Sequence, residues 1–154
     1  MMLELHNVTI GQQIRGLSAT VGEGNVLSIT GPKGSGKTLL LRAVLGFLPI
    51  DGGHISIDGE LLTPRSAPYF RKRMAYVPQK LVVPDDYHKV PTDYLSLLKT
   101  AVESGKPLLI IDEPQHEMSA AEMEQIDHLM QDAVQRGATV LAVNSRITDN
   151  QVQL

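Results

Sequence analysis

The chain contains no cysteine and no tryptophan, and only 4% of its residues are aromatic. Without cysteine it can form no disulfide, no zinc–thiolate site and no cysteine nucleophile. It also lacks an excess of positive charge. Its 14 Lys and Arg face 17 Asp and Glu, a net charge of −3, which gives no electrostatic reason to expect nucleic acid as a partner. No run approaches the ~20 apolar residues that cross a bilayer; the best, residues 38 to 50, contains Arg42. The N-terminus shows no basic-then-apolar leader, because Glu4, His6 and Asn7 interrupt it. The five histidines are scattered, none at a metal-ligand spacing from another. These absences predict a soluble, cytoplasmic protein with no transmembrane segment of its own.

What is present is more specific. At 154 residues and 42% hydrophobic content the chain suits a single domain, 1–154, with a real core. The stretch Gly31-Pro32-Lys33-Gly34-Ser35-Gly36-Lys37-Thr38 fits the phosphate-binding pattern G-x-x-x-x-G-K-[ST] at every fixed position. Residues 25–30 before it read as a short buried strand, and residues 38–47 after it as an apolar helix. A strand feeding a glycine-rich loop and then a helix N-terminus is an anion site, because unpaired N–H groups and the positive helix end converge there. Gly34 and Gly36 permit positive φ and close approach of phosphate oxygens. Lys37 supplies a mobile charge for the β- and γ-phosphates, and the Thr38 hydroxyl is a magnesium ligand. Gly31, Pro32, Lys33, Gly34, Ser35, Gly36, Lys37, Thr38 and Leu39 are therefore the candidate residues for a nucleoside triphosphate carrying Mg²⁺.

The rest of the chain alternates strands and helices, which implies a parallel sheet with right-handed crossovers. Strands are expected around Leu3, Leu5 and Val8, over 14–21, 54–58, 74–77 and 108–111, with a last core strand over 138–143. Pro78, Pro84 and Pro91 argue for loop over 80–91, and apolar residues at 94, 95, 98 and 102 give a helical spacing over 92–103. Ser119-Ala120-Ala121-Glu122 is a capping box opening a helix through Arg136, whose face carries Met123, Ile126, Leu129, Met130, Ala133 and Val134. Arg71-Lys72-Arg73 and Asp85-Asp86 read as solvated charge.

The continuous apolar run 108–111 ends in Asp112-Glu113. A buried strand ending in carboxylates puts Asp112 at the sheet edge, where it can hold the magnesium shell, and Glu113 one residue further, where it can act as general base toward water. With these residues the chain resembles the nucleotide-binding domain of ABC transporters, the ATP-binding cassette ATPases. The matching segments are residues 2–8, 31–46, 51–59, 71–79, 108–114 and 137–143. The resemblance implies an α/β fold: a P-loop NTPase core with a mostly parallel sheet, plus a small N-terminal antiparallel β-subdomain. It implies ATP and Mg²⁺ as ligands, with Gln79, in Tyr76-Val77-Pro78-Gln79, touching both magnesium and water. It makes Thr38, Gln79 and Asp112 the metal residues, Glu113 and Gln79 the catalytic ones, and Ile10 the counterpart of the residue that stacks on adenine. An aliphatic Ile10 lacks the π-face for that stacking.

The chain also departs from the family's pattern. Residues 80–111 alone separate Gln79 from Asp112, where the family inserts a helical subdomain ending in a motif similar to Leu-Ser-Gly-Gly-Gln; no such motif is present. Ser104-Gly105-Lys106 is the nearest echo, and Gly105 reads as a helix C-cap. Ser145 stands at the family's switch histidine and Ser119 at its coupling aspartate. The domain is thus expected to be a shortened one that offers one of the two surfaces between which the family sandwiches ATP. Its expected function is that of an ATP-binding subunit of an ABC-type transport system. It would hydrolyse ATP slowly alone, or faster with a partner that supplies the signature. The alternative is a nucleotide-gated interaction module that does not hydrolyse, and a third reading is a small P-loop kinase. Partners implied are another nucleotide-binding subunit or a membrane permease subunit, which would bring the chain to the inner face of a membrane.

Overall fold

The computed structural model describes residues 1–79 and 93–154. Thirteen elements follow in the order β1 (Leu3–Ile10), β2 (Ile14–Val21), β3 (Val26–Thr30), α1 (Lys37–Val44), β4 (Gly52–Ile57), β5 (Glu60–Leu61), α2 (Ala67–Arg71), β6 (Met74–Val77), α3 (Tyr94–Glu103), β7 (Leu108–Ile111), α4 (Ala120–Gln135), β8 (Thr139–Val143) and β9 (Asn150–Gln153). They build two sheets. The first, in the order β2-β1-β4-β5, is antiparallel. The second, β6-β7-β8-β3-β9, is parallel in every described pairing. The α/β architecture with a parallel core and an antiparallel N-terminal sheet is as the sequence predicts. The loop expectation over 80–91, the Asp85-Asp86 pair and Thr92 lie outside the described residues.

The inner parallel strands β3, β7 and β8 are short, mostly apolar runs because both of their faces are covered. Every residue of β7 and β8 is buried, as are all of β3 except Thr30. One apolar cluster lies between the sheets, around Leu3, Leu5, Leu27, Ile29, Leu40, Leu41 and Ile57. The other lies on the opposite face of the parallel sheet, where Leu98, Val102, Met130 and Ala133 of α3 and α4 cover Val26, Leu109, Ile111 and Val140. Because the strands of the parallel sheet all run in one direction, their C-terminal exits lie at one edge of the sheet. That edge carries residues 31–38 after β3, 78–79 after β6, 112–113 after β7 and 144–145 after β8. In open parallel sheets this carboxyl edge is where ligands bind.

Several boundaries and elements differ from the sequence reading. The helix after the loop runs from Lys37 to Val44, with Gly46 at φ 81 ending it. The fourth strand starts at Gly52, and its burial is confined to Ile55, Ser56 and Ile57 rather than alternating. Strand β8 is not the last, since β9 adds to the edge of the sheet beside β3. The short α2 was not foreseen, although Pro68 in its first turn is a common way to start a helix. The capping box of α4 is present with both hydrogen bonds: Ser119 Oγ accepts from Glu122 N at 3.2 Å, and Ser119 N donates to Glu122 Oε1 at 3.1 Å. Of the face expected on α4, Met130 and Ala133 are buried, while Ile126, Leu129 and Val134 are half-buried against the core. Gly105, at φ 70 just after the C-cap Ser104, turns the chain from α3 toward β7.

Candidate functional site

The loop between β3 and α1 is shaped by residues that tolerate no added bulk. A Cβ on Gly31 would lie 2.6 Å from Ser35 Oγ and 3.0 Å from the Leu154 carbonyl oxygen. One on Gly36, whose φ is 101, would lie 3.1 Å from Gln13 Cβ and 3.3 Å from Ile14 Cγ1. The β1–β2 turn thus packs directly on the loop. Gly36 is also the N-cap of α1, and no side chain caps that helix. Its first-turn amides are left for a ligand, the arrangement that favours an anion. Ser35 Oγ is buried without a hydrogen-bond partner among the described residues. A buried hydroxyl rarely goes unpaired, so an acceptor from outside the chain would complete this cradle.

Lys37 is almost fully buried, yet its ammonium is satisfied. Nζ donates to the carbonyl oxygens of Gly31 at 2.6 Å and Pro32 at 2.8 Å, and lies 3.9 Å from Glu113 Oε1. The next side chain, Thr38, donates from Oγ1 to Asp112 Oδ2 at 2.9 Å. Asp112 Oδ1 accepts from the Glu113 amide at 2.8 Å. Burial holds the Asp112 carboxyl above the usual carboxylate range; the two hydrogen bonds and the Lys37 charge pull it down, while Glu113 pushes it up. A carboxylate desolvated in this way gains most from a nearby cation. Mg²⁺ is commonly held by one or two protein ligands together with substrate phosphates and water, and the Thr38–Asp112 pair at the mouth of an anion cradle fits that donor set.

A cavity of about 240 Å³ lies over the loop, lined by Gln13, Lys33, Gly34, Gly36, Lys37, Thr38, Leu39, Gln79 and Glu113. Residues spread from 13 to 113 in sequence are therefore brought to one place. Gln79, exposed after β6, lines it, and so does Glu113. Ile10 does not. It is 5% exposed and packed in the core between the sheets, so it is not a base-contacting residue. Its apolar side chain at the end of β1 is drawn inward, and the polar Gln13 of the following turn faces the cavity instead.

Two further residues belong to the site and were not read from the sequence. Tyr94, in the first turn of α3, donates its hydroxyl to the Asp112 carbonyl. Burial and the neighbouring carboxylates raise its phenol beyond the ordinary tyrosine range, so it remains a donor. Asn144, directly after β8, donates from Nδ2 to Glu113 Oε2 at 2.7 Å. Ser145 does not face the cavity over the loop. Its Oγ donates to the Ile147 carbonyl at 2.6 Å, and its amide donates to Ser28 Oγ at 3.0 Å.

Residues 14–139 match the ABC transporter family. The chain belongs to that family. A manganese transport system ATP-binding protein of Listeria innocua is 32% identical over 124 residues, covering 75% of this chain and 50% of that protein. The protein of the same description from Bacillus subtilis is 36% identical over 95 residues, covering 59% and 36%. The chain thus spans about half, or less, of the length of these curated ABC relatives. Among solved structures, an ATP-binding subunit of an ABC transporter superposes with a TM-score of 0.80 at 19% identity, covering 100% of this chain and 86% of that one. A Pyrococcus furiosus chain described as a putative ABC transporter ATP-binding protein gives 0.75 at 15% identity, covering 100% and 98%. At such identities the likeness establishes the ABC ATPase fold.

Proposed function

We propose that this chain is the ATP-binding part of an ABC-type transport system and binds ATP together with Mg²⁺. The observation that carries the reading is the meeting of the loop 31–38 with Asp112 through the Thr38 hydrogen bond, under a cavity that Gln79 and Glu113 also line. Gly31 to Leu39 wrap the phosphates, with backbone amides and Lys37 as donors. On phosphate binding Lys37 exchanges its two loop carbonyls for phosphate oxygens. Thr38, Asp112 and Gln79 would hold the cation, which would offset the negative charge of the phosphates. Glu113 accepts the proton of an attacking water.

Turnover needs donors on the far side of the terminal phosphate as well, because preorganised donors stabilise the charge that develops there. A second nucleotide-binding subunit that carries a signature motif would supply them. A permease subunit would couple the cycle to transport and hold the chain at the cytoplasmic face of a membrane. No described helix is long and apolar enough to cross one.

The test is phosphate release from Mg-ATP by the wild type and by Glu113→Gln, each alone and mixed with a signature-bearing ABC subunit whose own phosphate-loop lysine is replaced. The expected result is slow release by the wild type, stimulated by the partner and abolished in Glu113→Gln. Equal background rates in all four reactions would refute the hydrolytic part of the reading.

A further inference from the structure

Glu113 is held from two sides. Lys37 Nζ lies 3.9 Å from Oε1, and Asn144 Nδ2 donates to Oε2 at 2.7 Å. The Asn144 backbone is in the left-handed region at φ 50, where few non-glycine residues sit except asparagine, aspartate and histidine. That conformation is locked by the sheet. The Asn144 amide donates to the Ile29 carbonyl at 2.9 Å, and the next residue is fixed by the buried Ser28 hydroxyl. Strained conformations of this kind persist only where surrounding structure over-determines them, and they collect at functional sites.

The chemistry of the contact is directional. An asparagine NH₂ donates and cannot take a proton from water, so it does not compete with the carboxylate for that role. By occupying Oε2 it leaves Oε1 turned to the cavity side, where Lys37 lies. Lys37 is engaged with the Gly31 and Pro32 carbonyls and is the group that must move when phosphate arrives. Asn144 is built on β8 and keeps its place.

We propose that Asn144 is a positioning residue for Glu113: it fixes the carboxylate rotamer and presents one oxygen to the water through every stage of nucleotide occupancy. The role rests on the ATPase reading given above. It couples the exit of β8 to the exit of β7, so that the general base is set by the sheet rather than by the loop that follows it.

Two variants test the role. Asn144→Gly removes the amide while keeping a residue at ease at φ 50, and Asn144→Asp keeps the shape but sets a carboxylate against Glu113. With the Bacillus subtilis manganese-transport relative, inactivated in its own loop lysine, as partner, Asn144→Gly should lower kcat by at least about tenfold. KM for Mg-ATP should not change. Asn144→Asp should lower the melting temperature by a few degrees, and adding Glu113→Gln should restore it, because the new amide donates to the new carboxylate; kcat stays lost in that pair. A kcat for Asn144→Gly equal to wild type, or a fall in kcat matched by a rise in KM, overturns the positioning role. A wild type that binds Mg-ATP but does not turn it over with the partner refutes the hydrolytic reading on which the role rests, and the role falls with it. A wild type that binds no Mg-ATP overturns the ATPase reading itself.

Discussion

At the scale of single residues, the site is a set of polar groups whose partners are mostly each other. Among the described residues the Thr38 hydroxyl donates to Asp112 Oδ2, and the Asp112 carboxylate has two donors, Thr38 Oγ1 and the Glu113 amide. A buried carboxylate held above its ordinary range by desolvation is costly at neutral pH, and a cation at that position relieves the cost. Asp112→Asn keeps the shape and removes the charge. In calorimetry at fixed ATP, the wild type should bind more tightly as Mg²⁺ is raised, whereas Asp112→Asn should show less than half of that gain. Equal gains would mean that Asp112 holds no cation. Much of this set was legible. The loop motif and the Asp-Glu pair are contiguous, and their chemistry follows from residue type alone. Gln13, Tyr94 and Asn144 were not, because each is a single polar residue in an unremarkable stretch, and only the sheet's connectivity sets it beside the loop. Ile10 failed for the opposite reason: its position in the chain suggested a ligand contact, and its hydrophobicity placed it in the core.

At the scale of elements, strong patterns were readable and weak ones were not. The all-apolar β7, the largely apolar β8 and the capping box of α4 declare themselves through composition. Strand β9 does not. Its sequence Asn150-Gln151-Val152-Gln153 has one apolar residue, half-buried, and it is held by backbone pairing with β3 and by the Asp149 carboxylate accepting from Val26 N at 2.8 Å. Edge strands need no hydrophobic alternation, so periodicity cannot find them. Helix α3 shows a local device with a pH signature. Asp93 is its N-cap, accepting from the Ser96 amide at 3.0 Å and the Ser96 hydroxyl at 2.9 Å, and these hydrogen bonds hold its carboxyl below the usual range. A depressed folded-state pKa contributes stability above the unfolded value, near ~3.9, and that stability is lost as pH falls through the folded value. Melting curves should therefore show a wild-type contribution that fades on acidification below about pH 4 and is missing from Asp93→Asn. Identical pH dependence in the two proteins would show that the cap carries no linkage.

At the scale of the whole molecule, the parallel sheet serves to bring four exits to one edge, and the antiparallel sheet braces the loop from below through Gln13 and Ile14 against Gly36. Fold class was legible because alternating strands and helices admit few topologies. The absence of a signature motif is read from the sequence alone, from the short interval between Gln79 and Asp112. The central claim is that this architecture grips a magnesium-bound triphosphate through Lys37. Thermal melting with and without Mg-ATP, for the wild type and Lys37→Ala, tests it most directly. A ligand at a hundredfold excess over its Kd stabilises by about 2.7 kcal/mol, which for a domain of this size is a rise of roughly 5–10 °C in Tm. The expected result is that rise in the wild type and none in Lys37→Ala, with both proteins folded in the absence of nucleotide. No shift in the wild type, or an equal shift in Lys37→Ala, would contradict the account.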